Sequence, residues 1–401
     1  MAKQILFITT LNLASNPRLV KEIDLALNNK YCVTVICFEF HNWSKRNNDE
    51  LISRFNTVKF IIISSGKSPF LPWLKNVLKE KIYRFLGHFI PLSLSQISQA
   101  VSRRSDNLIK ALKNIEYADL VIGHNPAAIY PALVAAKKFN CGVGFDVEDY
   151  HPGEGTNTRL SSLTLQLMRR TLLDFDYVSY ASTSIKSEFS QKIAGLENQN
   201  NLVINNSFSE KEFSFFESIS DNKLQLVWFS QNVDKNRGLE YIIPIVDRHN
   251  DCMNLTLFGN ADPDFKMNHS KYNGVNWAGV TSQLKLHQQL TNFDIGLALE
   301  PGKDRNNELA LSNKLFAYLL AGLNIVATDT IEQIRFLSQY SNLGSIVKKD
   351  FSNAESILLN LAEAKNKLRS ERLDRYKSNQ VFSWEIESQT LLQKWNSILS
   401  N

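Results

Sequence analysis

Short apolar runs rich in β-branched residues alternate along this chain with longer stretches in which apolar positions recur every three or four residues. QILFITT leads through a polar loop, LNLASNP, into the helical pattern RLVKEIDLALNN and then a second run, YCVTVICF. Strand, loop, helix and strand at that spacing predict a βαβ unit. The pattern returns in VKFIIIS (58–64), ADLVIGH (118–124), the helix PALVAAKKF, CGVGFDV (141–147) and DYVSYAS (176–182). A second series begins near Asn200 with NLVINN. It continues through KLQLVWFS, a helix from about Gly238 to Val246, NLTLFG, VNWAGV, FDIGLALE, the helix NKLFAYLLAG, NIVATD and SIVKK. Alternating strands and helices imply parallel sheets covered on both faces. The expectation is an α/β chain of two Rossmann-like domains, with ligands taken in a cleft beyond the carboxyl ends of the strands.

A length of 401 residues suits two domains. The N-terminus enters a strand without the charged start and cleavage site of a signal peptide, and no run approaches the roughly 20 apolar residues of a membrane span. Cys32, Cys37, Cys141 and Cys252 show no paired metal-ligand spacing and read as reduced thiols. A cytoplasmic protein is expected, its contact with a bilayer limited to the periphery. Charge is uneven: residues 1–200 hold 24 Lys and Arg against 17 Asp and Glu, whereas 201–401 hold 21 against 23. An anionic partner is therefore expected for the first half.

One source of that excess is PFLPWLKNVLKEKIYRFLGHFIP (69–91), where Leu74, Val77, Leu78, Ile82, Phe85, Leu86 and Phe89 fall on one helical stripe flanked by Lys75, Lys79, Lys81 and Arg84. Such a helix suits the interface of an anionic membrane; the alternative is a core helix whose lysines snorkel. Nucleic acid is not expected, because the basic residues are not interleaved with stacking aromatics.

Candidate chemistry gathers where the apolar runs stop. FDVEDYHPGEG places Asp146, Glu148, Asp149 and His151 at the end of a strand, and DLVIGHNP places His124 at the end of another. In the second half, SNKLFAYLLAG reads as a helix with Ser312 as N-cap, its hydroxyl able to accept from a first-turn amide, and with Gly322 in the left-handed C-terminal position. The free amides and positive end of that helix favour an anion, and Lys314 adds a full charge. The glycine pattern of dinucleotide binding is missing after the first strand, which argues against an NAD-dependent enzyme.

These pieces resemble the GT-B glycosyltransferases, specifically the GT4-like retaining enzymes, over nearly the whole chain. ILFITTLNLASNPR, DLVIGHNPAAIYPALVAAKKF and FDVEDYHPGE carry the likeness in the first half. NLVINNSF, WFSQNVDKNRGLEYI, LTLFGNAD, VNWAGV and FDIGLALEPGKDRNNELALSNKLFAYLLAGLNIVAT carry it in the second. The resemblance implies two Rossmann-like domains facing each other across a cleft: an acceptor-binding domain, 1–200, and a nucleotide-sugar-binding domain, 201–381. A final helix, 382–401, crosses back to the first. It further implies a metal-independent transfer from a UDP- or GDP-sugar to a glycan or lipid-linked acceptor, the donor being substrate and no separate cofactor being needed. Arg237, Lys235, Ser312, Asn313, Lys314, Glu300 and Gly259 are the implied donor-binding residues. Glu148 and Asp149, with His151 and His124, are the implied catalytic or acceptor-orienting residues, Asp146 being structural.

Each has a plainer reading: a loop charge for Arg237 or Lys235, a turn or cap for the carboxylates, a buried histidine for His124, a sheet-covering helix around Lys314. Two positions depart from the family pattern. Ala317 stands where a glutamate holds the donor ribose, and Glu148 stands where histidine is common. Glu300 and Glu308 keep the Glu, seven residues, Glu spacing, but too early in the chain. A non-catalytic sugar-nucleotide-binding or partner subunit and a sugar-nucleotide epimerase are thus alternatives. A glycoside hydrolase using paired carboxylates would not need the diphosphate site.

Overall fold

The computed structural model describes residues 2–42, 44–199, 201–215 and 221–400; Asn200, near which the second series was expected to begin, lies outside them. The chain divides into two compact units, one of Met1–Ile204 with Ser388–Asn401, the other Asn205–Glu387.

The first unit is built on a seven-stranded parallel sheet: β1 (Gln4–Thr9), β2 (Cys32–Glu39), β3 (Lys59–Ser64), β4 (Leu120–His124), β5 (Gly142–Val147), β6 (Tyr177–Tyr180) and β7 (Leu202–Val203), in the order β3-β2-β1-β4-β5-β6-β7. Ile5, Leu6, Phe7 and Ile8 are all completely buried, on both faces of β1, which is why the central strands read as unbroken apolar runs. NLVINN does not open the second series: its strand pairs with β6 at the edge of the first sheet, Ser179 opposite Leu202.

The second unit holds a six-stranded parallel sheet of β8 (Leu224–Val233), β9 (Met253–Ala261), β10 (Val275–Gly279), β11 (Ile295–Ala298), β12 (Asn324–Thr328) and β13 (Gly344–Val347), ordered β10-β9-β8-β11-β12-β13. Its strands alternate between two cores. Leu226, Trp228 and Val326 pack on the side of Ile242 and Leu358, and Val227, Ile325 and Ala327 on the side of Phe316 and Leu319.

The C-terminal helix Trp384–Leu399 closes the first unit. Trp395 is fully buried, its ring 6.1 Å edge-on from Phe7 and its Nε1–H donating to the Tyr177 hydroxyl at 2.8 Å. Glycines make room for this packing: a Cβ on Gly144 would lie 2.1 Å from the Tyr177 ring, and one on Gly142 2.3 Å from Ile398. Trp395→Ala removes a large buried side chain and orphans a buried hydroxyl. It is expected to destabilise the first unit by about 3–5 kcal/mol, read as a lowered urea midpoint, while Leu392→Ala on the same helix should have a smaller effect.

Candidate functional site

In each sheet the strand order reverses once, between β1 and β4 in the first and between β8 and β11 in the second. The connections leaving the carboxyl ends of those two strands run to opposite faces, opening a crevice at the sheet edge where α/β folds take ligands. The candidate residues lie at these two edges.

In the first unit the parallel register sets Thr9 opposite His124, His124 opposite Asp146 and Asp146 opposite Ser179, a polar row across four strand ends. The helix Pro17–Asn28, capped by Asn16 and started by Pro17, adds Arg18 and Glu22 from above, both only 1 % exposed. His124 is completely buried. Its Nε2 lies 3.2 Å from Glu22 Oε2 and its Nδ1 3.1 Å from Glu148 Oε1, with Asp146 Oδ2 at 3.7 Å. Arg18 stands 3.4 Å from both Glu22 and Asp146 and donates to the Ile204 carbonyl, while the Ser179 hydroxyl donates to Asp146 Oδ1 at 2.6 Å. Burial works against charging His124, but Glu22, Glu148 and Asp146 outweigh it and push the imidazole up to about 10. The surrounding carboxyls thus favour the imidazolium: Nδ1 is hydrogen-bonded to Glu148 Oε1, and Nε2 faces Glu22, whose own carboxyl is pushed above its ordinary value by burial. His124 is not presented to an acceptor; it holds Glu148, whose side chain remains 16 % exposed.

Glu22, His124 and Asp146 offer ligand atoms within 4.8 Å of one another, the geometry of a metal group among the described residues. The Arg18 guanidinium already faces both carboxylates, so their charge is met by protein cations. Arg18 and Glu22 were missed from the sequence. The available signal was an i,i+4 charge pair adjoining the buried stripe Leu19, Ile23 and Ala26 directly after the first strand.

Asp149 is half-buried in the turn after β5, its carbonyl accepting from the His151 amide at 2.8 Å. His151 pairs with Glu154 at 3.2 Å and lines a 200 Å³ cavity with Thr10, Ser161 and Thr164. Burial disfavours its charged form, but Glu154, then Asp149 and Glu148, raise its pKa above the ordinary value.

In the second unit, Glu300 lies two residues beyond β11 and Lys314 is in the first turn of the helix Asn313–Leu320. Lys314 Nζ lies 2.9 Å from Glu300 Oε1 and 5.8 Å from the centre of the Trp228 ring. The Asn307 amide donates to Glu300 Oε2 at 3.1 Å and its oxygen accepts from the Gly302 amide at 2.7 Å, tying the loop to the carboxylate. Burial raises the Glu300 pKa, but Lys314, then Asn307 and Ser312, outweigh it and hold the carboxyl below its ordinary value. Ser312 is the N-cap residue by position, yet its side chain makes no capping hydrogen bond; its hydroxyl sits 3.5 Å from Lys314 Nζ instead. Asn313 is exposed beside it.

Lys235 is exposed and Arg237 half-buried in the loop after β8, the strand next to β11. Asn236 and Gly238 there take left-handed backbone, φ 59° and 79°, and a Cβ at Gly238 would lie 2.4 Å from the Phe351 ring. Gly259 in β9 packs its α-carbon against the Ser230 carbonyl, where a Cβ would come within 2.2 Å. Glu308 pairs with Lys349 at 2.6 Å beside Gly302 rather than with Lys314, and Ala317 is buried in the apolar core.

No family model matches the sequence, and no curated protein matches it. Solved structures do match over the full length. HepE from Anabaena, crystallised with UDP, superposes with a TM-score of 0.68 at 14 % identity, covering 98 % of this chain and 100 % of that one. TarM from S. aureus, crystallised as a mutant with fondaparinux, alpha-GlcNAc-glycerol and UDP, gives 0.67 at 9 % identity, with both chains covered completely. The sucrose-phosphate synthase of Thermosynechococcus elongatus gives 0.66 at 11 %, covering 99 % and 100 %. What is shared at these identities is the fold. The chain has the two Rossmann-like parallel-sheet domains and C-terminal helix of the GT-B class.

The His124 network generates a pH signature. Because the imidazole pKa is raised on folding, its contribution to stability is fully present below the unfolded value near 6.5 and is lost as pH rises through about 10. His124→Asn leaves buried carboxylates short of a cation and is expected to cost about 3–5 kcal/mol at pH 6.5. The gap between wild-type and variant urea midpoints should narrow steadily as pH approaches 10; a gap independent of pH would show that the imidazole carries no buried charge.

Proposed function

We propose that this chain is a glycosyltransferase that binds a nucleotide-sugar donor, UDP- or GDP-linked, at the edge of its second sheet and extends a glycan or lipid-linked acceptor in polysaccharide synthesis. The observation that carries the reading is the cationic edge at the second switch point: Lys235 and Arg237 follow β8, and Lys314 and the amino end of its helix follow β11. Both loops leave the same edge of neighbouring parallel strands. A leaving nucleoside diphosphate gains negative charge as the sugar carbon becomes oxocarbenium-like, and preorganised cations and amides there lower that barrier without a metal. Support for the nucleotide comes from HepE, solved with UDP and with UDP-glucose.

In the first unit, Glu148 is the carboxylate in position to take up the acceptor's proton or bind its hydroxyls. His124 orients it from below. Asp149 and His151 flank it in the same turn and are assigned to acceptor contacts. The anomeric outcome follows the GT4-like resemblance and is proposed as retention.

Ala317 favours a second reading, a subunit that binds the nucleotide without turning it over, because an apolar buried side chain can hold no ribose hydroxyl. Thermal shift and turnover separate the two. UDP or UDP-glucose is expected to raise the melting temperature in proportion to affinity and concentration, and Arg237→Ala to weaken that protection at least about tenfold. Lys314→Ala should do the same but also destabilise the fold by freeing Glu300, so Lys314→Arg serves as its control. Glu148→Gln should leave nucleotide protection intact and cut donor turnover by about 10²–10⁴. Protection without any turnover of UDP- or GDP-sugars supports the binding subunit, interconversion of the donor without acceptor, seen by NMR, supports an epimerase, and absence of protection by every nucleotide overturns the proposal.

A further inference from the structure

The helix Phe70–Leu86 is inverted. Its inner face carries polar groups: Asn76 bonds Asn107, Glu80 pairs with Arg84 and lies 3.7 Å from Arg103, and Arg84 donates to the Ala100 carbonyl. Its outer face carries apolar residues in a ridge, with Leu71 75 % exposed, Leu78 49 %, Ile82 51 % and Phe85 57 %, continued by Phe89 at 70 %. The core-helix alternative requires the reverse. On a helical projection at 100° per residue, Lys75 and Lys81, both exposed, stand on opposite flanks of that ridge.

A cationic cavity lies at each end of the helix. At its start, a cavity of 450 Å³ is lined by Trp73, Arg103, Arg104 and Lys110. At its end, a cavity of 220 Å³ is lined by Arg84, His88, Arg159 and Arg169. Neither lining contains an Asp or Glu; Arg84 and Arg103 pair with Glu80 and Lys110 with Asp106 from outside the linings, which leaves Arg104 in the first and Arg159 and Arg169 in the second as the cations with no ion pair among the described residues.

We propose that this face of the first unit docks on an anionic phospholipid bilayer, the ridge Leu71–Leu78–Ile82–Phe85 entering the acyl boundary while Lys75, Lys81 and the two cavities take lipid phosphates. An exposed apolar ridge of this size marks an interaction surface. The flanking cations select its partner: a second copy would bring the same positive surface against itself, because a two-fold interface pairs identical patches, whereas an anionic interface complements both the ridge and its rim. No described helix is long and apolar enough to cross a membrane, so docking at the interface is the mode this surface offers.

Flotation of the full-length protein with phosphatidylcholine vesicles, with and without phosphatidylglycerol, tests the proposal. Binding is expected only with phosphatidylglycerol present and should fall with added salt as the charges are screened. Lys75→Gln and Lys81→Gln should each weaken it about fivefold, and the double variant Leu78→Ser, Phe85→Ser at least about tenfold, with unchanged melting temperatures because all four side chains are exposed. The proposal is overturned if the wild type fails to float with anionic vesicles or floats equally with neutral ones. It is equally overturned if the variants bind like wild type, or if the ridge proves to be a contact between copies, seen as a dimer that Phe85→Ser converts to monomer.

Discussion

A parallel sheet packed on both faces can hold polar chemistry only where its strands stop. Inside, Ile5 to Ile8 of β1 and Ile325 to Ala327 of β12 are completely buried apolar side chains, and an unpartnered polar group there would cost several kcal/mol. At the carboxyl edge the constraint lifts, most of all where neighbouring connections part to opposite faces. This geometry explains why a completely buried apolar strand such as LVIGH ends in histidine, and why FDV is followed at once by carboxylates. Thr9, His124, Asp146 and Ser179 are one row of the sheet before they are anything else.

That row would be untenable as neutral hydrogen bonds alone, because three carboxylates converge on it. Two protein cations balance them: Arg18 between Glu22 and Asp146, and His124 between Glu22 and Glu148. Removing either partner of such a buried set costs far more than the pairing contributes net, so the network is stiff. Stiffness at this point has a use. Glu148 is the member of the set that reaches the surface, and an imidazolium fixed from beneath decides where its carboxylate points.

The fold class was legible because both sheets are buried on both faces and their strands therefore appear as uninterrupted apolar runs. What escaped the sequence depended on partners distant along the chain. Arg18 reads as one more polar position on an amphipathic helix until Asp146, 128 residues later, is beside it. The strand in NLVINN was legible as a strand, but the sheet it joins is decided by pairing with β6, which no local pattern encodes. Ser312 had the right type for a cap, but its side chain turns toward a neighbouring ion pair and makes no capping bond. In the helix Phe70–Leu86 periodicity gave the stripe but not the side of it that faces water. Only the placement of Asp106, Asn107 and Ala100 as polar partners turned the apolar face outward.

The second edge solves its charge problem differently, and the difference bears on how an anion would enter. Lys314 is only 15 % exposed and its ammonium is already committed to Glu300, so the pair is close to neutral as it stands. An ammonium has three N–H donors, and Glu300 at 2.9 Å and Ser312 at 3.5 Å lie within reach of two. A phosphate arriving there would not need to break the pair, because Asn307 also holds Glu300 from the other side. It would instead bring a second anion to one cation, and the deficit has to be met by the neighbouring loop. Arg237 lies on the adjoining strand's connection, where Asp234 and Glu240 accept from the Lys235 and Asn236 amides and no ion pair is formed by Arg237 itself among the described residues, and it is the residue able to meet it. Charge balance would therefore make the two loops interdependent under the proposed function: Lys314 would fix the position of the anion, and Arg237 would supply the attraction that Glu300 has already taken from Lys314.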